Sequence, residues 1–283
     1  MHSSSIPSSS MDSGRVHIRR VGKHNFDEEM EIIENMITFT PFDIVTIDTE
    51  YPGVVVSSDK HEDRNPEAEY MMMKVNVNCM SLIQVGLTLS DHSGKLPILG
   101  GDNRRVVWEF AISDFDIDDH TTCKNQTSID MLRSRGLDFE FNRREGIDSQ
   151  TFAEKMLDIG LLMSQCGVKW ITFHGAYDFA YLIKAVTREK LPKKLEEFQE
   201  LVQLYFGEDV LDLKYMLRFH PVLFGGLEAI AAKIGVQRIS APGHQAGADS
   251  LLTQMVFEKL KKEYFGDIVE VFKKDAGHIY PLA

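Results

Sequence analysis

Between Asn25 and Thr38 the apolar residues Met30, Ile33 and Ile37 recur at helical spacing behind an acidic first turn, and this predicts a helix. Three apolar runs then read as strands: Asp43–Tyr51, Ser81–Thr88 and Val106–Ser113. Turn residues between some of them suit an antiparallel meander. The stretch from Glu62 to Asn78, polar and then Met-rich, is expected to begin irregularly.

The second half changes character. Helical patterns at Ser128–Arg135 and Ser149–Cys166 lead into a short strand, "WITFHG", and a helix from Asp178. "LPKKLEEFQELVQLYF" reads as another helix and "VLDLKYML" as an apolar segment. Further helices are predicted at Gly226–Ile234 and from Asp249. Strands first, then alternating helices and strands, imply an α/β fold: one mixed sheet covered on both faces by helices. No linker divides it. The expected organisation is a disordered Ser-rich tail over 1–14, one domain over 15–275, and a C-terminal tail over 276–283.

The first strand breaks the pattern. "VTIDTEYPG" places Asp48 and Glu50 two residues apart, so both share a face with Ile44 and Thr46, while Val45, Ile47 and Tyr51 take the other. Strand interiors disfavour both charges. A solvated edge strand is the plain explanation, but the apolar "FDIVTI" before them weakens it.

Two more acids sit in comparable settings. "ITFHGAYDFAYLIKAV" runs strand, turn, helix, with Asp178 at the helix start. "APGHQAGADSLLTQMVFEKL" runs loop, helix, with Asp249 at the helix head and His244 in the loop. Taken singly, these acids read as helix caps and His244 as a hydrogen-bonded loop residue. Taken together with Asp48 and Glu50 they raise an electrostatic question. Four carboxylates about 5 Å apart repel by roughly 3 kcal/mol per pair at an effective dielectric of about 20. Several such pairs cancel most of a domain's stability of roughly 5–15 kcal/mol. Either the four stay apart or a multiply charged cation joins them. An all-oxygen set suits Mg²⁺ or Mn²⁺ rather than zinc. Two such ions about 3.5–4 Å apart are a known device for in-line attack on a phosphodiester. A histidine nearby is suited to general-base work.

Composition narrows the field little further. The 283 residues are 43% hydrophobic and 26% charged, ordinary for a globular chain. A net charge of −12 argues against a general nucleic-acid coat, but not against local grip through cations. Cys79, Cys123 and Cys166 are odd in number and form no CxxC pair, so neither zinc nor a disulfide framework is implied. No apolar run approaches the length of a membrane span.

In order, "DTE", "FHGAYDFAYL" and "HQAGADSLLT" resemble the three motifs of the DEDD superfamily of 3′→5′ exonucleases, in its histidine branch. More narrowly, "DTEYPG", "SLIQVGLTLSD", "EGID" and "HQAGADSLLT" resemble the Caf/Pop deadenylases, the poly(A)-specific nuclease subunits of the CCR–NOT complex. The resemblance covers roughly Asp27 to Tyr264. It implies a ribonuclease-H-like fold, a mixed central sheet flanked by helices. It also implies two divalent cations, Mg²⁺ or Mn²⁺, on Asp48, Glu50, Asp178 and Asp249, with His244 as general base. Poly(A) RNA is then the substrate, the NOT scaffold subunit and a second deadenylase are the partners, and cytoplasm and nucleus are the compartments. No membrane is involved. Asp212 matches a further acidic position, read as a buried structural acid standing behind the site at most.

The chain departs from the family in places. Tyr51 replaces a Phe, Gly175-Ala176 and Ala180 stand in "HGAYDFA" where "HSGYDFG" is usual, and "RRVGKHNF" lacks a Trp. The first are small or aromatic exchanges that spare the acids; the last touches packing or partner contacts. Two other functions remain open from sequence: an exonuclease on DNA or short oligonucleotides, and a non-catalytic bridge between other factors.

Overall fold

A computed structural model describes residues 16–57, 65–101, 104–163, 167–239, 244–264 and 274–283. The strands are β1 (Val16–Val21), β2 (Ile44–Glu50), β3 (Gln84–Ser90), β4 (Ile98–Leu99), β5 (Arg104–Ala111), β6 (Lys169–Thr172) and β7 (Val210–Asp212). The helices are α1 (Phe26–Phe39), α2 (Pro66–Cys79), α3 (Gln126–Ser134), α4 (Phe139–Glu145), α5 (Ser149–Asp158), α6 (Ala176–Thr187), α7 (Leu195–Phe206), α8 (Leu213–Met216), α9 (Leu227–Lys233) and α10 (Ala246–Glu263).

The strands form one mixed sheet in the order β1-β5-β3-β2-β6-β7, with β4 pairing β5. The meander expected of the first three predicted strands is present: β2 runs antiparallel to β3, and β3 to β5. β6 then pairs parallel with β2, and β7 parallel with β6. β2 therefore lies inside the sheet, not at its edge. That removes the solvated-edge explanation for Asp48 and Glu50.

Alternation along β2 decides what each face meets. Val45 and Ile47 enter the larger core, which takes apolar residues from α1, α2, α5, α6 and α7. Ile44 enters a second core with Ile230 of α9 and Leu252, Val256 and Phe257 of α10. Asp48 and Glu50 share the face of Ile44, toward α10. Ile279 and Leu282, in the last segment of the chain, are buried in the larger core.

Two elements were not foreseen, and one local prediction needs correcting; the irregular start expected from Glu62 lies outside the described residues. Glu62–Asn78 contains α2, whose start is capped by the Asn65 side chain accepting from the Glu67 N–H, with Pro66 in the first turn. "VHIRRV" is β1, which among the described residues pairs only with β5, in parallel. The helix expected over Ser149–Cys166 ends at Asp158, where Gly160 turns the chain with φ of +76°. Cys166 and the N-terminal tail lie outside the described residues.

Candidate active site

Asp48 and Glu50 come from the end of β2, Asp178 from the first turn of α6, and His244 and Asp249 from the start of α10 and the residue run before it. All five line one cleft of about 450 Å³, with Tyr51, Phe173 and Tyr177 among its walls. Glu50, Asp178 and Asp249 are buried, and His244 is exposed. Ligand atoms of Glu50, His244 and Asp249 lie within 4.8 Å of one another.

Each acid is held by specific partners. Asp178 is the third residue of α6 rather than its cap, which is Gly175. Its carboxylate accepts from the Thr49 hydroxyl at 2.5 Å and the Thr172 hydroxyl at 3.2 Å. Asp249 is the fourth residue of α10, whose cap position is Gln245, so it is not the cap either; it accepts from the His244 backbone N–H, outside the helix, at 3.0 Å. The Arg238 guanidinium bonds its other oxygen and reaches Glu228 as well.

The helix that carries Asp249 is itself pinned to the sheet. The Gly247 N–H donates to buried Glu109 of β5 at 3.2 Å, and the Ala246 N–H to Gln84 of β3 at 3.4 Å. Gly86, which pairs with Asp48 across β2 and β3, lets α10 approach so closely that a Cβ there would lie 1.9 Å from the Ala246 carbonyl oxygen.

Asp212 has the structural role. Fully buried, it accepts backbone N–H groups from His174, Gly175, Lys214 and Tyr280. It thereby fixes the turn between β6 and α6, where His174 adopts φ of +68°, and ties down the last segment. Burial pushes its carboxyl up to about 6 against those four donors. Sequence reasoning missed Thr49, Thr172, Arg238, Glu109 and Gln84. Thr49 was visible inside "DTE", but the other four become partners only through tertiary contact.

Electrostatics match the convergence. Burial, then the charges of Asp178, Asp249 and Glu50, hold Asp48 well above the usual carboxylate range. Burial and the charges of Asp249 and Asp178 do the same to Glu50. Asp178 is raised to about 7, by burial first and with the two threonine hydroxyls opposing. The donors are hard oxygens, buried and mutually repelling, and they fit divalent cations such as Mg²⁺ or Mn²⁺.

A pH dependence follows for the metal-free protein. With folded-state values above the unfolded ones, roughly 4, the folded chain binds more protons between about pH 4 and 7. Stability contributed by these groups is therefore complete at low pH in that window and is lost as pH rises through it. In chelator, thermal melting should fall from pH 5 to 7.5, and excess Mg²⁺ should shrink that fall. A melting temperature that climbs over this range in chelator contradicts the clustering.

A mixed sheet in this strand order, with a carboxylate cluster at the end of its central strand, defines a ribonuclease-H-like nuclease of the DEDD exonuclease type. More narrowly, the chain belongs to the CAF1 ribonuclease family, whose model matches residues 21–158 and 156–257. It is 38% identical over 267 residues to the probable CCR4-associated factor 1 homolog 7 of Arabidopsis thaliana, covering 94% of each chain. It is 35% identical over 253 residues to the poly(A) ribonuclease pop2 of Schizosaccharomyces pombe, covering 89% of this chain and 72% of that one. The solved structure of S. pombe Pop2p in its Mg²⁺- and Mn²⁺-bound form superposes with a TM-score of 0.82 at 34% identity, over 93% of this chain and 98% of that one. A yeast CAF1 co-crystallised with the NOT1 MIF4G domain superposes with a TM-score of 0.74 at 28% identity, over 93% and 96%.

Proposed function

We propose that this chain is a metal-dependent 3′→5′ exoribonuclease that shortens mRNA poly(A) tails, releases 5′-AMP and works as a subunit of the CCR–NOT complex. One observation carries the chemistry: four carboxylates from three separate elements and an exposed histidine line a single cleft. Membership of the CAF1 ribonuclease family carries the substrate and the partners. Relatives are a poly(A) ribonuclease, a Mg²⁺- and Mn²⁺-bound Pop2p and a CAF1 on NOT1.

In this reading Asp48, Glu50, Asp178 and Asp249 hold two divalent cations. When bound, these supply an activated water and a counter-charge for the leaving oxygen. His244, exposed at the mouth and within 4.8 Å of acceptor atoms on Glu50 and Asp249, takes the proton of the attacking water on its ring nitrogen. The Thr49 and Thr172 hydroxyls fix the Asp178 carboxylate, and Arg238 with the His244 N–H fixes that of Asp249. The stacked rings of Tyr51 and Tyr177, 5.0 Å apart, give the cleft an apolar wall.

Matched A-tailed RNA and DNA oligonucleotides test this reading. With Mg²⁺ the RNA should be shortened from its 3′ end far faster than the DNA, and excess chelator should stop the reaction. Equal rates on both favour a general exonuclease instead. Full activity in chelator removes the metal-dependent mechanism altogether.

A further inference from the structure

A single strand whose 3′ end occupies the cleft must leave it past some part of the cleft's lining. Ser128 and Met131 of α3 line the cleft and offer no aromatic ring. Phe173, His174, Gly226 and Leu227 also line it, and beside them lies a second hollow of about 220 Å³. Lys214, Arg218, Phe224 and Tyr280 line that hollow. Side chains of the two meet. Lys214 Nζ lies 5.9 Å from the Phe173 ring and 5.7 Å from the Tyr280 ring, and it donates to the Gly225 carbonyl. Tyr280 in turn packs edge-on to His174, their ring centroids 5.0 Å apart.

We propose that this hollow is the path of the single-stranded RNA lying 5′ to the nucleotide being removed, with one base stacked on the ring of Phe224. The idea rests on the exoribonuclease reading and extends it to substrate positioning. Phe224 is 64% exposed, an unfavourable place for a large apolar ring unless something covers it. It is also fixed in place. Lys233 Nζ donates to the carbonyls of Val222 at 2.9 Å and Phe224 at 2.8 Å, and sits 3.6 Å from the Phe224 ring centroid. The ring thus meets a cation while most of its surface stays exposed.

The charges fit the same occupant. In a chain of net charge −12, three cations, Lys214, Arg218 and Lys233, gather at this hollow beside exposed aromatic rings. Arg218 lies over Tyr215 and Phe219, the latter 85% exposed, and 3.6 Å from Asp275. Rings that stack bases, interleaved with cations that follow phosphates, are how proteins bind single strands without reading sequence. Direct contact between the lining of the hollow and that of the nuclease cleft makes the substrate's own upstream strand the occupant.

The test compares Phe224→Ala and Phe224→Trp with wild type on a long A-tract RNA and on a dinucleotide too short to reach the hollow. For Phe224→Ala, KM on the long RNA should rise about tenfold with kcat held, the dinucleotide should be cut as by wild type, and Phe224→Trp should restore KM. Affinity for a fluorescent A-tract RNA, measured in Ca²⁺ without turnover, should fall by the same factor. Wild type that binds through Phe224 but never hydrolyses RNA would sink the activity and leave the path standing. Unchanged KM and affinity for Phe224→Ala on the long RNA would overturn the path and point to a protein partner on this face. An equal loss on the dinucleotide would overturn it too, as a structural defect.

Discussion

Replacing Asp48 with alanine should lower the rate of tail shortening at least about a thousandfold, roughly 4 kcal/mol of barrier, while leaving the chain folded. Asp48 lies on the α10 face of β2, amid the charges of Asp178, Asp249 and Glu50. Its removal takes away one of the acids needed to hold cations at the reacting phosphate. It also takes away part of the repulsion that the metal-free protein must bear. The two effects separate the catalytic role from a structural one. In chelator the variant should melt at or above the wild-type temperature, whereas the truncation of a structural buried acid lowers it. A variant that loses activity only in proportion to lost stability would return Asp48 to a structural role.

The second large effect is at a residue with no side chain. Gly86→Ala would put a Cβ 1.9 Å from the Ala246 carbonyl oxygen, 2.1 Å from its carbon and 2.5 Å from the Gly247 nitrogen. These are backbone atoms, so no rotamer change relieves the clash. The first turn of α10 must lift from β3, which strains the hydrogen bonds from Gly247 to Glu109 and from Ala246 to Gln84. Overpacking of this kind costs about 1–3 kcal/mol, and a rigid backbone contact belongs at the upper end. Asp249 moves with the helix, and a shift of about 1 Å at a reacting centre costs on the order of a hundredfold in rate. Urea melts and initial rates should both report the loss. Gly101→Ala, where an added Cβ meets nothing within 4 Å, should leave both unchanged. Wild-type kinetics in Gly86→Ala would mean that the close crossing of α10 over β3 does not position Asp249.

Two of the acids were legible because they broke a local rule; Asp178 and Asp249, taken singly, read as helix caps. Asp48 and Glu50 are charges inside a run of β-formers, and their recurrence with Asp178, His244 and Asp249 in fixed order supplied the rest. The sheet's core was legible because β2, β3 and β5 each carry a cluster of β-branched, aromatic and other apolar residues. What hid was of two kinds. β1 hid because an edge strand with a partner on one side alone can carry basic residues at its centre, and "HIRR" gives no apolar signal. α2 hid behind the β-branched "VNV", though its Asn65-Pro66 start was in plain view. In the structure Asn76 from that run is buried and bonds the backbone of Val55 and Val56, a use that no periodicity predicts.

The supporting residues of the site hid for a different reason. Arg238 and Glu109 sit in unremarkable sequence and act only where folding brings them against α10. Asp212 was visible as an acid in "VLDLKYML", but its four backbone donors come from three separate segments. Pairwise contacts between distant segments decide such roles, and a single sequence does not carry them.

A time course on a 5′-labelled RNA ending in an A-tract, with Mg²⁺ and with wild type beside Asp48→Ala, tests the central claim most directly. Wild type should give a ladder of progressively shorter products that slows where the A-tract ends, and Asp48→Ala should leave the RNA intact. Equal shortening by both proteins would contradict the assignment of the site to this cleft.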